Sequence, residues 1–178
     1  MSPTFDRGRR CFGDTIPATG GPPKHMSNSR HRQVACAILI DTQNRFLLQR
    51  RDDVPGILQP GKVGLFGGHR EDDETYLECV VREISEETGY FVAPDRFEHL
   101  ASYDGVEFDA ERGTVRAEFF IARGLIAEAL NVTEGSLLIV EPARLSSVEH
   151  KLTPSARIGI KAFFDGNVRT ADRNSYID

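Results

Sequence analysis

Residues 68–90 read GHREDDETYLECVVREISEETGY, and their periodicity decides how the rest of the chain is read. Leu77, Val80, Val81, Ile84 and Thr88 fall within about 100° of arc on a helical wheel. The spacing therefore predicts a helix over 74–88, ended by Gly89 in a left-handed cap. Glu83, Glu86 and Glu87 occupy an adjoining arc, where i,i+3 and i,i+4 spacing sets the three carboxylates side by side. Like charges so placed destabilise a helix by roughly 0.2–0.5 kcal/mol per pair, so the clustering calls for a cause. Two causes compete: a solvated acidic face, or a site for a hard divalent cation such as Mg²⁺ or Mn²⁺. Such an ion prefers carboxylate and carbonyl oxygens and bridges to phosphate.

Outward from this helix the pattern changes period. Upstream, a β-rich run over 34–40 breaks at Asp41-Thr42-Gln43-Asn44 and resumes as a strand over 45–51, in hairpin fashion. A turn-rich loop, 52–62, leads to a short strand over 63–66 that runs into Gly67-Gly68. Downstream, strands are expected over 98–103, 116–123 and 137–141. A final helix follows, with Thr153 as N-cap, Pro154 in its first position and its end near Gly166. Strands interspersed with two helices predict an α/β fold around a mixed sheet. Residues 1–32 mix Gly, Pro, Ser, Arg and His without apolar periodicity and are expected to be a disordered basic tail, with Met26 an alternative start. The folded domain is then 33–168, and 169–178 a C-terminal tail.

Composition narrows the partners. The 178 residues are 39% hydrophobic and 28% charged, ordinary for a globular domain. No apolar run approaches the roughly 20 residues that span a bilayer, so no membrane role is expected. Residues 1–32 hold six basic and two acidic side chains, which leaves −9 on the remainder out of a net −5. Nucleic acid is accordingly not an expected partner, and a body this acidic acting on a polyphosphate needs intervening cations. Cys11, Cys36 and Cys79 are too few and scattered for a disulfide framework or zinc cage. Together with an N-terminus lacking an apolar signal core, they point to a reducing, cytoplasmic setting.

The quoted segment also fits the pattern G-x5-E-x7-R-E-U-x-E-E-x-G-U, where U is bulky and apolar or aromatic. The fit runs through Gly68, Glu74, Arg82, Glu83, Ile84, Glu86, Glu87, Gly89 and Tyr90. It resembles the Nudix box of the Nudix hydrolase family. The resemblance implies an α/β/α sandwich with a mixed sheet, and a Mg²⁺- or Mn²⁺-dependent pyrophosphohydrolase acting on a nucleoside diphosphate linked to a further group. The alternative is a non-catalytic Nudix module that binds a ligand or regulates. Glu83, Glu86 and Glu87 match the box positions that ligate metal and serve catalysis, and a carbonyl of the preceding glycines, Gly68 or Gly67, commonly joins them. Glu74 and Arg82 match a bracing pair, which at eight residues apart needs Glu74 to curl back at the loop–helix junction; Gly89 ends the helix.

Beyond the box, Glu134 is either a further carboxylate ligand or an ordinary loop acid, and the general base is Glu83 or a downstream carboxylate. Arg50 and Arg51 end the second strand facing opposite sides; the resemblance implies that an arginine here, Arg51, contacts substrate phosphates, and the alternative is that both are edge charges. His69 reads either as an exposed polar residue or as a contact to substrate or metal. Two positions depart from the usual pattern, Phe66 where proline is common and Asp73 where glycine is; neither removes an expected ligand. A small nucleotide is the expected substrate. Its specificity is assigned to loops 52–62, 104–113 and 127–135, and Tyr103, Phe108 and Phe119 are either stacking residues or core. Many relatives are homodimers, and the sequence is compatible with that without requiring it.

Overall fold

The computed structural model describes residues 31–106 and 113–174, with side chains described over 32–105 and 113–166. The expected N-terminal tail up to residue 30, with Cys11 and Met26, lies outside the described residues, as does Phe108. Among the described residues seven strands form one mixed sheet: β1 (His31–Asp41), β2 (Phe46–Arg50), β3 (Val63–Gly64), β4 (Phe66–His69), β5 (Phe97–Val106), β6 (Thr114–Leu125) and β7 (Ser136–Val140). The path runs β3-β2-β1-β6-β5, with β4 also on β1 and β7 also on β2. Pairing is antiparallel except between β1 and β6.

β1 explains the layering. Its side chains alternate faces, and both faces are covered. Cys36, Ile38 and Ile40 join one buried cluster with Phe46, Leu48 and the helix α3 (Pro154–Asn174) through Ala156, Ile160 and Phe163. Ala35, Ala37 and Leu39 join the other, with Leu47, Phe66 and the helix α1 (Tyr76–Thr88) through Cys79, Val80 and Ile84. A strand buried on both sides reads as a continuous apolar run, as 34–40 does. The result is the α/β/α sandwich expected from the sequence. Each fully buried Ile, Leu or Phe in these clusters contributes roughly 1.5–3 kcal/mol. A short helix, α2 (Leu145–Val148), precedes α3. Among the described residues no helix is long and apolar enough to cross a membrane.

Three local readings shift. The strand expected over 63–66 divides at Leu65, because β3 pairs with β2 while β4 pairs with β1. The buried stripe of α1 is Cys79, Val80, Ile84 and Thr88, with Leu77 and Val81 only half-buried. The helix has turned its acidic arc partly toward the sheet. Finally, Gly166 does not close α3, which continues to Asn174; its φ lies outside the left-handed region, so it makes no left-handed cap.

The start and stop of α1 are as its sequence dictates. Thr75 accepts from the Glu78 N–H while the Glu78 carboxylate accepts from the Thr75 N–H, a reciprocal capping box. Gly89 takes a φ of 61° and donates to the Ser85 carbonyl.

Candidate active site

The acidic arc of α1 faces the turn between β4 and the helix, and one arginine organises it. The Arg82 guanidinium donates to Glu74 twice, at 2.7 and 3.1 Å, to Glu83 at 2.9 Å and to Glu86 at 3.1 Å. It also donates to the His69 carbonyl at 3.0 Å. Glu74 does curl back: its carboxylate accepts from the Glu71 N–H at 2.8 Å, which returns the chain toward α1. The Arg82 hydrogen bonds hold Glu74 down at about 2, and the same carboxylates raise Arg82.

Glu83 and Glu87 sit deeper. A Cβ on Gly68 would come within 2.5 Å of the Glu83 carboxyl carbon, so only glycine lets this carboxylate lie against the β4 backbone. Burial raises the Glu83 pKa despite Arg82 beside it. Burial likewise pushes Glu87 up to about 7, with Glu83 and Glu134 adding to the shift; the Gly67 N–H and Gln49 oppose it only in part. Glu87 accepts from that N–H at 2.8 Å and from Gln49 Nε2 at 3.3 Å. The Gly67 N–H is placed by a φ of 132°, and a Cβ there would meet the Ala35 carbonyl oxygen at 2.2 Å.

Glu134 reaches the same region through the end of α1. The Asn131 N–H donates to the Thr88 carbonyl at 2.7 Å, and the Thr133 N–H to the Glu87 carbonyl at 2.9 Å. Gly135, at a φ of 74°, then packs so closely on β2 that a Cβ would lie 2.2 Å from the Arg50 carbonyl oxygen. Arg51 stands at the other side of this junction, its Nε donating to the Leu58 carbonyl at 2.8 Å. It lines two hollows, one of about 200 Å³ shared with Gln49, Asp52 and Glu134, and one of about 120 Å³ shared with Cys36, Leu58 and Thr153. A larger hollow of about 520 Å³, between Leu145 and Phe164, holds none of the box residues.

The structure thus brings Glu83, Glu86 and Glu87 to one face, with Gly68 against Glu83 and Glu134 close enough to raise Glu87. Every candidate donor is oxygen, which suits Mg²⁺ or Mn²⁺. Among the described residues no three acidic, histidine or cysteine side chains converge on a single point as a closed ligand set, because Arg82 holds Glu83 and Glu86 toward itself. Glu86 is the exposed member of the three, its side chain 61% accessible.

Other candidates separate. The Arg32 Nε donates to the His69 ring, and Arg50 is exposed at the end of β2. Phe119 is fully buried core and presents no stacking face, and Tyr103, half-buried, packs at the edge of the same cluster. Burial pushes both Cys36 and Cys79 up to about 12, which leaves no thiolate at neutral pH. Gln49 was missed by sequence reasoning. Its signal was a polar residue on the same face as Leu47, in a strand otherwise apolar on that side.

The profile of the NUDIX domain matches residues 29–157. The chain belongs to the Nudix hydrolase family. No curated protein matches the sequence significantly. Solved structures share the Nudix fold at low identity. A MutT protein from Methanosarcina mazei Go1 is 23% identical with a TM-score of 0.64, over 77% of this chain and 95% of that one. The Nudix domain of Shewanella oneidensis NrtR, solved with ADP ribose, is 21% identical with a TM-score of 0.61, over 76% and 87%. A bifunctional NMN adenylyltransferase/ADP ribose pyrophosphatase from Francisella tularensis, complexed with AMP and a Mn ion, is 14% identical with a TM-score of 0.60, over 76% of this chain and 42% of that one.

Proposed function

We propose that this Nudix hydrolase cleaves the pyrophosphate link of a small nucleoside diphosphate derivative, with Mg²⁺ or Mn²⁺ held by Glu83, Glu86, Glu87 and the Gly68 carbonyl, and with Glu134 as a further oxygen donor. One observation carries this reading: Glu87 is a half-buried carboxylate with one backbone N–H and one amide on it and no cation among the described residues, two more carboxylates on the same helix face and Glu134 nearby. Such a grouping is stabilised by a cation. Bound there, the ion would neutralise phosphate oxygens and make a bound water more acidic.

The chain's own residues supply the rest. Glu74 and Arg82 brace the turn carrying Gly68, so that the carboxylates and the carbonyl keep their spacing. Arg51, at the mouth of both hollows, offers a guanidinium to the substrate phosphates. Glu83 and Glu134 are the carboxylates at hand to take the proton of the attacking water. The ligands named for the neighbours, ADP ribose and AMP, support a nucleotide as substrate.

A panel of nucleoside triphosphates, nucleotide sugars, ADP-ribose and dinucleoside polyphosphates, incubated with Mg²⁺, tests the reading. Phosphate detection and identification of both products name the bond broken. Turnover of at least one member is expected; binding without turnover across the panel would favour the non-catalytic module instead.

A further inference from the structure

Gln49 occupies a place that an apolar residue would fill at less expense. It is 2% exposed, follows Leu47 and Leu48 on β2, and points to the α1 side of the sheet. Its Nε2 donates to Glu87 Oε1 at 3.3 Å and to the Glu134 carbonyl at 3.1 Å. Its Oε1 is buried on the side of Gly64 and has no hydrogen-bond partner among the described residues. Exchanging the amide's ends would turn an oxygen toward the Glu87 carboxylate and a carbonyl, so the orientation is fixed by those two acceptors. The amide nitrogen is the end that the structure engages, with two acceptors from separate segments.

What that end holds is the junction between two elements far apart in sequence. Glu87 belongs to the box helix, whereas Glu134 lies on the segment that follows β6. The two meet through the Thr133 N–H on the Glu87 carbonyl and, at the side-chain level, through the Gln49 amide.

We infer that Gln49 is a positioning residue, its amide fixing the Glu87 carboxylate and the Glu134 segment in one mutual geometry. The inference rests on the metal-site reading given above. The Gln49 NH₂ steers one Glu87 oxygen while the Gly67 N–H holds the other, leaving the carboxylate a single rotamer. The same NH₂ stops the Glu134 carbonyl from drawing its segment off β2. Gln49 touches no reacting atom in this role.

Gln49→Met keeps length and burial and removes both donors, and Gln49→Asn keeps the amide but shortens its reach. In metal-free protein, both variants are expected to exchange the Gly67 and Thr133 amide hydrogens faster than wild type, while amides elsewhere in β1 and β6 keep their protection. Mn²⁺ affinity, read by electron paramagnetic resonance, is expected to fall about 10-fold or more. At saturating metal, kcat is expected to fall by a similar factor with KM for the nucleotide little changed. If the folded variants keep wild-type exchange at both amides and wild-type Mn²⁺ affinity, Gln49 is mere filler and the inference is overturned. Wild-type protein that binds no Mn²⁺ and turns over no substrate would instead overturn the metal-site reading, and the exchange data would still judge Gln49.

Discussion

Glu118 and Glu87 both lie on the α1 side of this sheet, the first buried and the second half-buried, and they are treated in opposite ways. Glu118 on β6 is matched on all sides: Arg116 Nε donates to one oxygen at 3.1 Å, and His99 Nε2 at 2.8 Å and the Ser102 hydroxyl meet the other. Burial pushes its carboxyl up, yet the Ser102, His99 and Arg116 hydrogen bonds outweigh that and hold it below the ordinary carboxylate range. Glu87, half-buried, has one backbone N–H and one amide, two further carboxylates raise it along with its partial burial, and it ends at about 7. A carboxylate whose partners are all supplied by the chain is structural. One left short of positive charge is waiting for charge from outside.

Predictions follow from that contrast, the largest effect first. Glu87→Gln is expected to lower metal-dependent turnover by about a thousandfold or more, since a ligand oxygen and its charge are lost together. Glu118→Gln is expected to leave turnover within about twofold while lowering stability by about 1–2 kcal/mol. Steady-state kinetics and urea melts on the two variants check this, and equal losses of turnover would erase the distinction. EDTA is expected to silence the wild-type enzyme and added Mg²⁺ or Mn²⁺ to restore it; activity surviving chelation points to different chemistry.

The pH dependence of stability sharpens the same contrast. Glu87 is raised from 4.5 to about 7, so in metal-free protein its contribution is fully present below about 4.5 and lost as pH rises through about 7. Thermal melts without metal are therefore expected to fall across that window, and Glu87→Gln to flatten the fall. Mg²⁺ is expected to raise the midpoint more at pH 8 than at pH 5. The smallest effect belongs to Glu74, lowered from 4.5 to about 2. Its contribution is present above about 4.5 and is lost as pH falls through about 2. Acid titration of Glu74→Gln is expected to show a shallower loss in that range.

The box helix was legible because everything that fixes it is local. Gly89 stops it and the 3.6-residue period marks both its arcs, whereas the capping box of Thr75 and Glu78, equally local, went unread and the helix was expected from 74. The hairpin was legible for a similar reason: Asp41 accepts from the Gln43 and Arg45 N–H groups within four residues. What escaped depends on distance in sequence. Gln49 meets Glu87 across 38 positions and Glu134 across 85, a juxtaposition made by the sheet's register. The division at Leu65 likewise depends on which strand lies alongside, and the true buried arc of α1 on the angle at which it rests against β4. Local signals cannot carry such information. The acidic face was visible from spacing alone, but the two hydrogen bonds by which Arg82 holds Glu83 and Glu86 were not.

Gly67 and Gly135 flank the Glu87–Glu134 junction at points where a methyl group would collide with a carbonyl oxygen of the neighbouring strand. Anyone diversifying this scaffold toward new specificity should therefore freeze those two codons. Randomisation belongs at Leu58 and Ser155, which line the smaller hollow from outside the strands, rather than at Gln59 beside them, whose φ of 55° restricts what can replace it.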